Sequence, residues 1–177
     1  MTRPTRPRRS VLPGYGWMLA LVLALAPAAH GAPARSTTWF DGDRPGAQAR
    51  EAVALLADAA ADGLDPADYD ADGMRRALAA AETGAAPDLA ARARLDAALT
   101  SAMQRFLTDL NRGRVDPRQI HVRFSVPRRS FDAAAALEAA RAAQRLSDAV
   151  RAAAPPLQLY ANLRAALAQY RALGAHA

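Results

Sequence analysis

The densest group of side chains that could do chemistry is an acidic stretch at residues 62–73. Asp68, Asp70 and Asp72 match the start of a calcium-binding loop, in which closely spaced carboxylates supply the oxygen ligands. The twelfth position of such a loop normally supplies a bidentate carboxylate, and here it is Ala79. The alternative is that these acids cap two successive helices, where the positive end of the helix dipole stabilises a carboxylate. The sequence therefore favours helix caps over a metal site.

Other candidates for catalysis are few. The same acids could act as a general acid and base, but nothing in the sequence places them in a cleft. His121 is the one histidine inside the predicted domain, and a lone histidine after a turn is more often structural than catalytic. The sequence has no cysteine, no Gly-x-Ser-x-Gly and no phosphate-binding loop. We therefore predict no catalytic residue, no cofactor and no metal, and we expect that this chain is not an enzyme by itself.

A cluster of arginines lies between two predicted helices. Its members are Arg112, Arg114, Arg118, Arg123, Arg128 and Arg129. One interpretation is a patch that meets an acidic partner, such as the carboxylates of cell-wall peptide. The other, which we favour, is pairing with local acids such as Asp109, Asp116 and Asp132, since surface arginines usually find such partners.

The first 31 residues predict a signal peptide. Four arginines precede a short apolar run from Trp17 to Ala26, and small residues follow, which is the secretory pattern. We expect cleavage after Gly31, with Ala34 as the second choice. An uncleaved anchor is the alternative, although the run is shorter than the roughly 20 residues of a membrane span. Twin-arginine export is a second alternative, because Arg8 and Arg9 are adjacent.

These features predict a periplasmic protein that meets the membrane only during export. Removing residues 1–31 removes four arginines and no acid, so the formal charge falls from +6 to +2. A charge that small gives no electrostatic footprint for a phosphate backbone, so we expect no nucleic-acid partner.

The rest of the chain predicts a small, all-α, alanine-rich domain. We expect an irregular lead-in at residues 32–44, a helical domain at 45–173 and a tail at 174–177. Alanine lets helices approach closely but buries little area per residue, which predicts a modest core. Trp39 and Phe40 are an exception in the lead-in, as a large apolar pair that should dock on the domain.

Apolar spacing and capping residues place the helices. The strongest pattern is a stripe in which Leu95, Leu99, Met103, Phe106 and Leu110 recur at helical spacing. The predicted capping residues are Gly63 at a C-terminus and Asp65, Asp88 and Ser130 at N-termini. Helices are also predicted to start with Pro45 in a first turn, at Asp72 or Gly73, and at Ser147. A last helix is predicted from about Leu157, with an apolar stripe of Tyr160, Leu163, Leu167, Tyr170 and Leu173. Residues 122–126 alternate and could be extended.

One segment, residues 99–117, resembles a known family. Its pattern of Leu99-Thr100, Ala102, Arg105-Phe106, Asp109-Leu110 and Gly113-Arg-Val-Asp-Pro117 is similar to the N-terminal scaffold domain of the large periplasmic L,D-transpeptidases of the YcbB type. The stretch at residues 63–69, Gly-Leu-Asp-Pro-Ala-Asp-Tyr, resembles an early turn of that family. The predicted last helix resembles the one that closes the scaffold.

The resemblance implies a helical, non-catalytic domain associated with cell-wall cross-linking. In that family, a peptidoglycan-binding module and a catalytic domain with a cysteine nucleophile follow the scaffold. No position in this sequence matches that cysteine, so no catalytic residue is carried over. The resemblance leaves two hypotheses, a truncated or free-standing scaffold of an L,D-transpeptidase and a helical periplasmic protein that binds a cell-wall enzyme or peptidoglycan.

Overall fold

The computed structural model describes residues 39–120 and 130–174, and it confirms the predicted all-α class. A two-stranded hairpin precedes the helices, with β1 at Phe40–Asp41 and β2 at Arg44–Pro45. The α-helices are α1 Ala47–Ala57, α2 Ala71–Thr83, α3 Leu89–Arg112, α4 Pro117–Ile120, α5 Ala133–Ala143, α6 Leu146–Ala153 and α7 Gln158–Gly174. Two 3-10 helices, Asp58–Asp62 and Pro66–Tyr69, join α1 to α2.

Several predicted features lie outside the described residues. They are the signal peptide at 1–31, His121, the extended segment at 122–126, and Arg123, Arg128 and Arg129 of the arginine cluster, together with the side chain of Arg118. Within the described residues, no helix combines the length and the apolar character needed to cross a membrane.

The hairpin lies where the sequence predicted an irregular lead-in. Its strands pair antiparallel, with Phe40 opposite Pro45 and Asp41 opposite Arg44. The prediction that Pro45 occupies a first helical turn is wrong, because Pro45 ends β2 and α1 begins at Ala47. Gly46 separates the two and donates its N–H to the carbonyl of Trp39 at 2.9 Å. This bond closes the hairpin at the residue where the chain turns into α1.

Three predicted capping residues, Gly63, Asp65 and Asp88, are confirmed. Gly63 adopts the left-handed conformation with φ of 77° after the first 3-10 helix, and Leu64 donates back to the carbonyl of Ala59 at 3.2 Å. Asp65 accepts from the N–H of Ala67 at 2.9 Å, as an N-cap does. Asp88 caps α3 in the same way through the N–H of Ala91, at 2.6 Å.

Three helix starts differ from prediction. Ser130 does not cap α5, because the helix begins at Ala133 and the residue directly before it, Asp132, accepts from Ala135 at 2.9 Å. The helix after the acidic stretch, α2, begins at Ala71 rather than at Asp72 or Gly73.

Helix α6 begins at Leu146, one residue before the predicted Ser147, and its cap comes from another helix. Glu51 on α1 accepts from both the backbone N–H and the hydroxyl of Ser147, at 3.1 and 2.6 Å. A partner 96 residues away in the chain cannot be found from local capping rules.

Helix α3 lies at the centre of the core and packs against α1, α2, α5 and α6. The predicted stripe is confirmed, since Leu99, Met103, Phe106 and Leu110 are buried. The fully buried alanines Ala52, Ala59 and Ala102 face the same core. Small side chains at these positions let the helices approach closely, and the large side chains between them fill the space.

The predicted docking of Trp39 is also confirmed. Its ring is 2% exposed, its indole N–H donates to the Thr100 hydroxyl at 2.9 Å, and its backbone N–H donates to Asp96 at 2.7 Å. The hairpin is therefore held against α3 by a large side chain with a satisfied polar group.

The central position of Phe106 leads to a stability prediction. Phe106→Ala lowers the free energy of unfolding by about 3–5 kcal/mol, because it removes a ring that is 1% exposed and leaves a cavity. Arg105→Ala is the matched change at the exposed neighbour of Phe106, and it shifts the free energy of unfolding by no more than about 0.5 kcal/mol. Urea unfolding followed by circular dichroism measures both, and similar losses for the two variants would contradict the assigned core.

Candidate functional site

The acidic stretch serves helix ends and ion pairs. Asp65 caps the second 3-10 helix, Asp72 pairs with Arg75 at 2.8 Å, and Asp68 pairs with Arg114 at 2.5 Å. The capping interpretation is thus confirmed for Asp65, and two of the residues considered as calcium ligands, Asp68 and Asp72, have arginine partners instead. Among residues 39–120 and 130–174, no three acidic or histidine side chains lie close enough together to hold a metal ion.

Tyr69 connects the acidic stretch to the central helix. Its side chain is buried, and its hydroxyl donates to Asp109 Oδ2 at 2.8 Å. Its ring meets the Phe106 ring edge to face, with centroids 5.4 Å apart. Burial, together with the hydrogen bond to the Asp109 carboxylate, raises the pKa of Tyr69 well above its ordinary value. The phenol therefore stays neutral and remains a donor at any physiological pH.

The two segments that carry the family resemblance meet at this point. Tyr69 and Asp68 belong to the stretch at 63–69, while Asp109 and Arg114 belong to the segment at 99–117. The Tyr69–Asp109 hydrogen bond and the Asp68–Arg114 ion pair join them side by side. We call this pair of contacts the motif clamp. It fixes the second 3-10 helix against the C-terminal end of α3.

Two arginines of the cluster, Arg112 and Arg114, have described partners, and these are groups other than Asp109 and Asp132. Arg114 pairs with Asp68, and Arg112 donates to the Phe131 carbonyl at 2.7 Å. Of the predicted partners, Asp109 accepts from Tyr69 and Asp132 caps α5. Arg114 does pair with an acid, as the favoured interpretation predicted, but the predicted partner is wrong. The fold brings Asp68, which is distant in the chain, next to Arg114.

A shallow groove between α3 and α5 was not predicted. Its volume is about 330 Å³, and its lining residues are Asp96, Thr100, Gln104, Ala134, Leu137, Glu138 and Arg141. The polar residues of α3 in it recur every four positions, beside the buried stripe. That spacing is a signal the sequence contains, but only the packing of α5 shows that it lines a groove.

The guanidinium of Arg141 is the most distinctive group in the groove. It stacks over the Trp39 ring at 4.1 Å from the centroid and forms no hydrogen bond or ion pair with the described residues. Burial lowers the pKa of Arg141, while the nearby carboxylates of Asp96 and Glu138 oppose that shift. The groove therefore presents one half-buried cation beside two anions, which suits a ligand that carries both charges.

Helix α7 is attached to the domain through polar contacts on one face. The Tyr160 hydroxyl donates to Asp62 Oδ1 at 2.7 Å, and Arg164 Nε lies 2.7 Å from the same oxygen. Arg171 donates to the carbonyl of Ala60. These residues recur at helical spacing, so a single face of α7 lies on the first 3-10 helix.

The predicted apolar stripe of α7 does not face the core. The helix itself is confirmed, but none of its residues is buried. Leu163, Tyr170 and Leu173 are exposed, while Tyr160 and Leu167 are half-buried against the first 3-10 helix. Most of the stripe is therefore left on the surface, because the polar side chains Arg164 and Arg171 take the contact with the domain.

Comparison with known proteins gives one family. A family model described as "Scaffold domain" matches residues 32–167. The matched range includes the hairpin, α1 to α6 and the first part of α7. No curated protein and no solved structure matches the chain.

The motif clamp leads to a prediction about stability. Tyr69→Phe keeps the buried ring but removes the hydroxyl, which leaves the half-buried Asp109 carboxylate without its donor. We expect the free energy of unfolding to fall by roughly 1–3 kcal/mol. Tyr170→Phe is the matched control, because Tyr170 is 74% exposed. Denaturant unfolding compares the two, and an unchanged stability in Tyr69→Phe would show that the clamp contributes nothing.

The attachment of α7 leads to a prediction about pH. Burial and the hydrogen bond to Asp62 raise the pKa of Tyr160 to about 12, above the value of about 10 expected in the unfolded chain. Its stabilising contribution is therefore complete below pH 10 and is lost as the pH rises toward 12. In Tyr160→Phe, the decline of unfolding free energy over this range becomes shallower than in the unmodified protein, whereas Tyr170→Phe leaves the decline unchanged. If the unfolding free energy declined with pH equally steeply in all three proteins, Tyr160 would not contribute as predicted.

Proposed function

The chain belongs to the Scaffold domain family, and we propose that it acts as a non-catalytic scaffold module for peptidoglycan L,D-transpeptidation in the periplasm. Its role in this proposal is to hold or position a wall enzyme. The acyl-transfer chemistry of that reaction needs a thiolate nucleophile. The chain has no cysteine, so a separate catalytic domain must supply it.

The motif clamp carries this proposal. A catalytic acid or base needs a polar atom that faces a cleft and can reach a substrate. Four polar residues of the two resembling segments, Asp68, Tyr69, Asp109 and Arg114, bond to one another in pairs instead. They hold helices together, which is what a scaffold requires of its characteristic residues.

The link to the cell wall has separate support. It rests on the resemblance of residues 99–117 to the L,D-transpeptidase scaffold, and on the predicted signal peptide that would deliver the chain to the periplasm. Both are properties of the sequence, and the family match to residues 32–167 agrees with the first.

The groove between α3 and α5 favours a second candidate function, direct binding of peptidoglycan. The stem peptides of the wall carry free carboxylates and amines. Arg141 could bind a carboxylate while Asp96 and Glu138 accept from an amine. In this alternative the module binds the polymer itself, and its partner enzyme is secondary.

Pull-down experiments with purified protein test both functions. As a scaffold for a wall enzyme, the protein enriches an L,D-transpeptidase from detergent-solubilised envelope of the source organism. As a peptidoglycan binder, it sediments with purified sacculi. Failure in both experiments would refute the proposed role, and turnover of a tetrapeptide substrate by the pure protein would refute its non-catalytic character.

A pair of matched variants separates the two functions. Arg141→Gln removes the cation of the groove, whereas Arg145→Gln changes an exposed arginine outside it. If the groove binds peptidoglycan, the Arg141→Gln variant no longer sediments with sacculi, whereas the Arg145→Gln variant still does. If the module only holds an enzyme, neither variant changes envelope capture and the unmodified protein does not sediment with sacculi.

A further inference from the structure

The exposed face of α7 carries an apolar stripe with a regular spacing. Its members are Leu159, Leu163, Ala166, Tyr170 and Leu173, which recur at intervals of four, three, four and three residues. The four large side chains are between 59% and 74% exposed. Alternation of four and three is the spacing by which one helix packs along another in a coiled coil. The stripe therefore has the pattern of a helix-pairing face.

The charges of α7 lie away from this stripe. Arg164 and Arg171, the only charged residues of the helix, are bound to the first 3-10 helix. A helix that lies on a membrane surface normally places basic residues beside its apolar face, where they meet anionic lipids. The polar residues beside this stripe are the uncharged Asn162 and Gln169. This arrangement favours a protein helix over a lipid surface as the occupant.

We propose that α7 pairs antiparallel with α7 of a second copy of this chain. A two-fold axis level with Ala168 places Leu163 opposite Leu173 of the second copy. The same axis places Tyr170 opposite Ala166 of the second copy, so the largest side chain of the stripe meets the smallest. One patch therefore complements itself, as a two-fold symmetric interface requires.

The electrostatics of the helix agree with this pairing. Because Asn162 and Gln169 carry no charge, two identical faces meet without like-charge repulsion. Antiparallel packing also sets the positive end of each helix dipole beside the negative end of the other. Self-pairing goes beyond the proposed function, since it requires neither a wall enzyme nor peptidoglycan.

Sedimentation equilibrium of the purified protein over a wide concentration range tests the pairing. We expect a monomer–dimer equilibrium whose Kd rises by at least about tenfold in Leu163→Glu and in Tyr170→Glu. Ala168→Glu, on the opposite and exposed face of α7, leaves the Kd unchanged. Circular dichroism verifies folding, and having two stripe variants keeps the test valid if one fails to fold.

Disulfide cross-linking tests the direction of pairing. Because the sequence has no native cysteine, any disulfide must come from the introduced residues. In a mixture of Leu163→Cys and Leu173→Cys proteins, antiparallel pairing gives a disulfide between the two variants. Same-site disulfides should not form in the dimer, because the two positions are about 15 Å apart along the helix. Same-site disulfides alone would show parallel pairing and overturn the proposed geometry.

Three outcomes would overturn self-pairing itself. They are a monomer at every concentration, a dimer that the stripe variants do not weaken, and a monomer that binds vesicles of anionic phospholipid through the stripe. Each of these results is independent of the pull-downs on sacculi and envelope. Failure of self-pairing is therefore distinguishable from failure of the scaffold function.

Discussion

Helices rich in alanine bury little apolar area per residue, so this fold depends on a few large side chains gathered around α3. Trp39, Tyr69 and Phe106 are each at most 2% exposed, and together they fill the space between the hairpin, the second 3-10 helix and α3. Two of the three carry a polar group, and each of these is satisfied by a residue of α3. The same side chains thus supply apolar area and fix the orientation of the elements around α3.

Sequence patterns predicted the parts of the fold that depend on neighbours in the chain. The stripe of α3, the left-handed turn at Gly63 and the caps at Asp65 and Asp88 all follow from residues within a few positions of one another. Predictions failed where a distant contact decides the outcome. Pro45 is held in a strand by its pairing with Phe40, and the start of α6 is capped by Glu51 from another helix.

The candidate site shows the same division. The resemblance identified residues 63–69 and 99–117. Neither segment by itself indicates the hydrogen bond from Tyr69 to Asp109 or the ion pair between Asp68 and Arg114. These contacts cross about 40 residues of chain, and only the folded arrangement of the helices brings them together. The groove beside Trp39 was missed for the same reason. Four of its seven lining residues come from α5, and no local pattern places α5 against α3.

Helix α7 reverses the usual arrangement of an amphipathic helix. Tyr160 and Arg164 attach it to the domain through Asp62, while Leu159, Leu163, Tyr170 and Leu173 face outward. Hydrogen bonds and an ion pair thus do the work that apolar burial does elsewhere in the fold, and this leaves the apolar stripe free for a second contact. Contiguous exposed apolar patches usually mark interaction sites. A scaffold whose core is already filled by α3 gains from such a helix, because it can join another molecule without disturbing its own packing.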